Sequence, residues 1–305
     1  MALMKGGTLG ALVLLVMTPA AAQAQDRSSY TGYIDTTFAF NRNGSVELAQ
    51  VPGDIVVSTW NEDRIRIRAY ARRVPLETRF SSGSVYVGLV AQNTGRNGIG
   101  DTRFEITMPA TARLKAGSVS GDVTVRGVTG RVAVGSVSGD VVVDGGTEEI
   151  SVNTVSGDIR LANARGRVTV ASVSGDQDLR TIVGDVSATT VSGDVSMRDV
   201  RARLVTAKSM SGDVEFAGPI ATDGRYEVNA HSGTVTLRLP SEVNGTLTLS
   251  TFSGGIDSDI PLTIGGDGRS GPTRGRDIET RLGSGTGGRI VVSTFSGDVE
   301  IRRSR

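Results

Sequence analysis

The 305-residue chain contains no cysteine, one histidine, one tryptophan and only 4% aromatic residues. Without cysteine there is no disulfide, no thiolate metal site and no lipidated N-terminal cysteine. Stability must come from packing and hydrogen bonds. The scarcity of large rings forces a core of small and β-branched side chains, and 41 glycines point to many tight turns. Helical periodicity is missing as well, so thin, repeated β layers are favoured.

A long hydrophobic run is also lacking. Lys5 precedes an apolar stretch from Leu9 to Met17, followed by Thr18-Pro19 and Ala20-Ala21-Ala22-Gln23-Ala24. The stretch is too short for a bilayer span of about 20 residues, and with small Ala22 and Ala24 it reads as a secretory signal peptide over 1–24. The mature chain is expected in the periplasm or at the cell surface or outside it. No transmembrane segment is expected after signal removal, and the end, Ile301-Arg302-Arg303-Ser304-Arg305, is neither a hydrophobic tail nor an aromatic barrel terminus. Loss of Lys5 takes the basic count from 33 to 32, equal to the acidic count of 32. This balance predicts neither nucleic acid nor anionic membrane as a general partner.

What is present is a repeat. Ser120, Ser138, Ser156, Ser174 and Ser192, each in a Val-Ser-Gly-Asp, are spaced by 18 residues; Ser211, Ser232 and Ser253 follow at 19, 21 and 21. Each unit is two nine-residue halves sharing the template V-x-x-x-V-x-V-x-x, as in Val119, Val123, Val125 and then Val128, Val132, Val134. Over nine halves only Gly146 and Gln177 break it. V-x-V is a short strand with alternate side chains on one face, and Ser-Gly-Asp is a turn. A flat meander of this pattern would expose a greasy face with no helix to cover it. The predicted fold is therefore all-β and β-solenoid- or β-helix-like, with 18-residue rungs of two half-coils, SGD turns and the template valines inside.

In SGD the glycine supplies a positive φ, while serine and aspartate can bond local backbone N–H groups. Stacking aligns Asp122, Asp140, Asp158, Asp176, Asp194 and Asp213. Carboxylates about 4.8 Å apart repel by roughly 0.9 kcal/mol in water, so something must offset the repulsion. Hydrogen bonding in the turns is one offset. A cation row, with calcium as the ion, is the other, although the nonapeptide calcium roll uses a denser Gly-Gly-x-Gly-x-Asp pattern. Ser118, Ser136, Thr154, Ser172 and Thr190 form a hydroxyl rank before the turns.

The template extends to Val51-Pro52-Gly53-Asp54 and to Trp60, Ile65 and Ile67. The expected organisation is a linker over 25–37 and a single solenoid domain over 38–305, with a glycine-rich insertion at about 257–289. An internal duplication links FEITMPATARLKAGSVSGDV, from Phe104, with LRLPSEVNGTLTLSTFSGGI, from Leu237. The serial V-S-G-D-V, the P-A/S-x-x-x-x-L segments before VSGD and the terminal TFSGDVEI resemble the bacterial putative-adhesin family of β-strand-repeat domains, over roughly residues 38–303. That resemblance implies a solenoid-like fold and an envelope location, and it carries over no catalytic residue.

The sequence weighs against an enzyme. Carbohydrate-cleaving β-helices build clefts from long loops, whereas these turns are tight through nine half-coils. His231 takes the place of Val191 or Met210 and reads as a terminal-layer packing residue, and Trp60 and Phe252 read as core plugs. The Gly265 segment lacks the Gly-Lys-Ser/Thr ending of a phosphate loop. The mixed outward row Thr124, Val142, Arg160, Asp178, Ser196 is unlike the flat threonine ranks of ice-binding solenoids. No catalytic or cofactor-binding residue is assigned. The reading is a non-enzymatic exported envelope protein with an adhesin or surface-scaffold role and an envelope or surface partner. The alternative is a carbohydrate-binding or carbohydrate-cleaving β-helix that uses the acidic edge.

Overall fold

The computed structural model describes residues 32–72, 74–90, 102–262 and 276–304. The signal-peptide segment, residues 93–100, whose sequence reads as a loop, and the Gly265 segment up to residue 275 lie outside the described residues.

Seven strands precede the regular repeat: β1 (Gly32–Ala39), β2 (Ser45–Val51), β3 (Asp54–Trp60), β4 (Arg64–Ala71), β5 (Leu76–Phe80), β6 (Ser84–Leu89) and β7 (Thr102–Pro109). The repeat begins with β8 (Arg113–Ser120), β9 (Val123–Arg126), β10 (Val132–Ser138), β11 (Val141–Asp144), β12 (Glu149–Ser156), β13 (Ile159–Ala162) and β14 (Arg167–Ser174). It continues through β15 (Gln177–Val183), β16 (Val186–Ser192), β17 (Val195–Arg201), β18 (Leu204–Ser211), β19 (Val214–Ala217), β20 (Arg225–Ser232) and β21 (Val235–Leu239). The last five are β22 (Gly245–Ser253), β23 (Ile256–Ser258), β24 (Arg276–Leu282), β25 (Gly288–Ser296) and β26 (Val299–Arg303).

These strands form two sheets of 13 strands each. Within the repeat, even-numbered strands pair in parallel in one sheet and odd-numbered strands in the other. A rung is one strand from each, and successive rungs are in register at the 18-residue period, with Leu114, Val132 and Ile150 side by side. The expected solenoid is therefore present. Val123, Val125, Val132, Val134, Val141 and Val143 face inward and are buried, each burial worth about 1.5–3 kcal/mol.

The chain does not add rungs strictly in order at either end. The pair β2/β3 stacks on β8/β9, with β6/β7 beyond it. The C-terminal pair β25/β26 sits between β20/β21 and β22/β23. Antiparallel pairings of β4 with β1 and β7, of β5 with β6 and of β24 with β22 finish the stack. Strand β1 begins inside the segment read as a linker, and β24 lies inside the segment read as an insertion. The largest buried rings are Phe40 and Phe104 in the N-terminal part of the stack and Phe216 and Tyr226 on β19 and β20. Trp60 is only half-buried, and its Nε1–H donates to the Arg64 carbonyl at 2.7 Å across the turn that joins β3 to β4. It fastens a turn instead of plugging the core.

Both template exceptions have local causes. A Cβ on Gly146 would collide with the Ile150 Cδ1, which already fills that space. Gln177 is buried, and its Nε2 donates to Ser172 Oγ and the Thr189 carbonyl, both at 2.8 Å.

The template also needs one correction. Its first apolar letter is inside in only one half of each rung. Val128, Ala164, Ile182 and Val200 are buried, but Val119, Val137, Val155, Val173 and Val191 are exposed. The strand before an SGD turn keeps strict alternation to its end: in β12, Ile150, Val152 and Thr154 face inward, and Val155 faces out. In the other half a left-handed residue precedes the apolar letter and resets the alternation, with φ of 76° at Gly127, 57° at Asn163 and 53° at Thr181 and Asp199.

Because Val141 is buried while Val142 points outward, Val141→Asp should cost on the order of 3–5 kcal/mol and Val142→Asp less than about 1 kcal/mol. Thermal or urea unfolding of the two variants measures the difference; equal losses would mean that the inner face is misassigned.

Candidate functional site: the SGD edge and its apolar ladder

Each SGD glycine has positive φ, 128° at Gly157 for example, and a Cβ there would lie against the Gly139 carbonyl oxygen of the rung before it. Glycine is thus required by conformation and by the closeness of the neighbouring rung. The turn's backbone is shared between rungs. Gly139 N–H donates to the Ser156 carbonyl at 3.2 Å and Val141 N–H to the Asp158 carbonyl at 2.9 Å. The N–H between them, on Asp140, is left for a side chain and donates to Asp122 Oδ1 at 2.9 Å.

This bond recurs along the edge. Asp158, Asp176, Asp194 and Asp213 donate their N–H groups to the Oδ1 of Asp140, Asp158, Asp176 and Asp194 at 3.0, 3.0, 2.8 and 2.8 Å. The carboxylates therefore bond the next rung and not their own turn, which corrects the local-turn expectation. A hydrogen bond to a charged group is worth about 1.5–3 kcal/mol, more than the roughly 0.9 kcal/mol of repulsion between neighbouring carboxylates. Arg160 adds ion pairs to Asp140 and Asp158, both at 3.2 Å. Among the described residues no group of three or more His, Cys, Asp or Glu is arranged to hold a metal ion.

The hydroxyls that bond the turn belong to the inward rank. Ser118, Thr154 and Ser172 donate to the carbonyls of Gly121, Gly157 and Gly175 at 3.1, 3.5 and 3.4 Å. Burying these small polar groups leaves the neighbouring apolar letter outside.

The outcome is a ladder of exposed apolar side chains along one border of the even-numbered sheet. In spatial order it runs Val119, Val137, Val155, Val173, Val191, Met210, His231, Phe295, Phe252. The eight apolar members are between 44% and 56% exposed. At about 4.8 Å per rank the ladder is roughly 38 Å long. His231 is exposed, stacked on Phe295 at 4.9 Å between centroids and 8° between planes, and Phe295 stacks on Phe252 at 4.8 Å and 4°. His231 and Phe252 therefore belong to the surface ladder and not to a packed terminal layer. Beside this stack is an open groove of about 720 Å³ floored by small or polar residues including Thr189, Asn229, Ser250 and Ser293. Lys208 also lines it; its Nζ pairs with Glu227 at 2.7 Å, and that hydrogen bond outweighs burial and holds the Glu227 carboxyl below its ordinary pKa.

The outer face of the odd-numbered sheet is of a different kind. Arg180 pairs with Asp178, Arg198 and Arg238 both pair with Glu215, and Arg302 pairs with Asp257, Asp259 and Glu300. Burial would raise the Glu215 carboxyl, but the two arginines overcome it and hold its pKa low. That face is finished with paired charge, while the ladder is apolar and uncovered. The ladder escaped the sequence reading because both halves share the same letters. A Ser or Thr stands one place before every outward valine, but the inward letter follows Gly127, Asn163, Thr181 or Asp199, so the preceding residue does not separate the halves at Thr181.

The family model Toastrack DUF4097 matches residues 76–217 and 189–302 of the chain. Among solved structures, a putative adhesin from Bacteroides fragilis NCTC 9343 is similar at 11% identity and a TM-score of 0.46, covering 90% of this chain and 98% of that one. A putative lipid binding protein from Parabacteroides distasonis ATCC 8503 gives 11%, 0.38, 90% and 98% by the same measures. A putative cell adhesion protein from Clostridium sporogenes ATCC 15579 gives 7%, 0.26, 89% and 100%. No curated protein matches the sequence.

Two predictions separate the architectural role of the edge from a cation-binding one. Gly157→Ala should cost about 2–4 kcal/mol with or without calcium, whereas Gly135→Ala, whose Cβ would enter open space, should stay within about 1 kcal/mol of wild type. Asp158→Asn should be mild, because the amide oxygen can still accept the Asp176 N–H. Thermal melts in millimolar calcium and in chelator decide between the roles. A calcium-induced rise in Tm that Asp158→Asn removes would make the row a cation site.

Proposed function

We propose, for a chain that belongs to the Toastrack DUF4097 family, that it is a non-enzymatic exported protein of the cell envelope whose SGD edge serves as an adhesion surface. The exposed apolar ladder carries this reading. Eight apolar side chains, each about half exposed, present on the order of several hundred Å² in one strip interrupted only at His231, whose ring stacks on Phe295; that is the size of an interaction surface. The leader-like residues 1–24 support export, and the stacked rungs support a rigid, elongated platform.

The carbohydrate alternative fares less well on geometry. The His231, Phe295 and Phe252 rings lie face to face and so present mainly their edges outward, whereas a sugar stacks on a ring face. Along the acidic row, one oxygen of each carboxylate from Asp122 to Asp213 is committed to a backbone N–H.

The test is binding of the purified protein to intact envelopes. The triple variant Val137→Ser, Val155→Ser, Val173→Ser should lose most of the binding while its Tm stays within a few degrees of wild type, because all three side chains are already half exposed. Undiminished binding would rule out the ladder as the contact surface. Reducing-sugar release that Asp140→Asn abolishes would replace the reading with carbohydrate cleavage.

A further inference from the structure

We infer that the ladder receives an amphipathic helix of a partner polypeptide, with an apolar stripe flanked by lysine or arginine. This rests on the SGD edge being the contact surface and names the chemistry of what it contacts.

Spacing selects the helix. Ladder ranks recur at about 4.8 Å, and one α-helical turn rises about 5.4 Å. A helix laid along the solenoid axis therefore brings about one stripe residue to each rank and slips by only about 0.6 Å per rank, staying within half a rank over about four ranks. An extended strand repeats its facing side chains at about 6.7 Å, slips by about 1.9 Å per rank and is out of step by the second. The open groove beside Met210, His231 and Phe295, with its floor of small residues, has room for a large apolar side chain from the helix.

Charge selects the flanks. Among the described residues Asp122, Asp176, Asp194, Asp213 and Asp298 have no ion pair, whereas Asp140 and Asp158 share Arg160. Each carboxylate follows its ladder residue by three positions, a chain reach of about 10 Å, comparable with the Debye length at physiological salt of about 8 Å. The ladder is thus bordered by uncompensated negative charge, while the opposite sheet's outer charges are paired. A basic helix is attracted to such a border. An anionic membrane would be repelled by it. A second copy docking ladder to ladder would bring one acidic row against the other.

The probe is a fluorescein-labelled helical peptide of leucine and lysine, about 18 residues or roughly 27 Å long, compared with its leucine–glutamate counterpart by fluorescence anisotropy. The lysine peptide should bind at least about tenfold more tightly than the glutamate peptide and weaken as salt rises. The triple variant Asp176→Asn, Asp194→Asn, Asp213→Asn keeps the amide oxygens that accept the next rung's N–H groups and should retain its Tm. It should bind the lysine peptide about tenfold less tightly and with a flatter salt dependence. Val173→Ser, Val191→Ser, Met210→Ser should abolish binding. The inference is overturned if the two peptides bind equally, if the lysine peptide does not bind, or if either triple variant leaves its affinity unchanged. Envelope binding that still depends on the ladder would then leave the adhesion surface standing with a different partner. Envelope binding that ignores the ladder would remove that reading whatever the peptides do.

Discussion

The structure depends on how closely one turn must lie on the next. At the SGD edge the carbonyl of each glycine occupies the place where the following rung's glycine would carry a Cβ. The same turn leaves one N–H per rung without a backbone acceptor, and the aspartate of the previous rung supplies it. Glycine and aspartate are thus fixed by a contact between rungs, and the repetition of SGD records that contact being made again and again. A hydrogen bond from each such N–H to a charged oxygen is worth up to about 1.5–3 kcal/mol, more than the roughly 0.9 kcal/mol by which neighbouring carboxylates repel.

Exact register has a second effect. Residues of the same parity in successive rungs become straight ranks, so any preference at one position is multiplied along the whole face. On the odd-numbered sheet the multiplied feature is paired charge, as around Glu215 and Arg302. On the border of the even-numbered sheet it is Val, Met or Phe. Held by ladders on both sides, these side chains lose little further freedom when something covers them, which is the condition under which a modest apolar strip binds usefully.

Much of this was legible from the residues. The 18-residue spacing of Ser120 to Ser192 gave the rung length, Val-x-Val the strands, and Gly157 the positive φ, because each is a local demand repeated many times. The orientation of Val155 was not legible, since it depends on whether a left-handed residue interrupts the alternation first, and Asn163 or Thr181 can occupy that conformation as well as Gly127. Nor was the partner of Asp158, because the N–H it accepts, that of Asp176, lies 18 residues away and is reached only by stacking. The rung order at the ends was hidden for a related reason. TFSGDVEI has the letters of any other rung, and its insertion between β20/β21 and β22/β23 is set by which edges remain open when the end strands have paired.

The absence of cysteine allows the account to be tested by thiol accessibility in an otherwise unreactive background. Val155→Cys and Ala164→Cys place single thiols at the same template letter in the two halves of neighbouring rungs. If the SGD half exposes that letter and the other half buries it, the thiol of Val155→Cys should react with a soluble thiol reagent in the native protein at nearly the rate of a free thiol. That of Ala164→Cys should react only after unfolding. Equal native-state reactivity at the two sites would contradict the account, because there would then be no outward ladder for anything to bind.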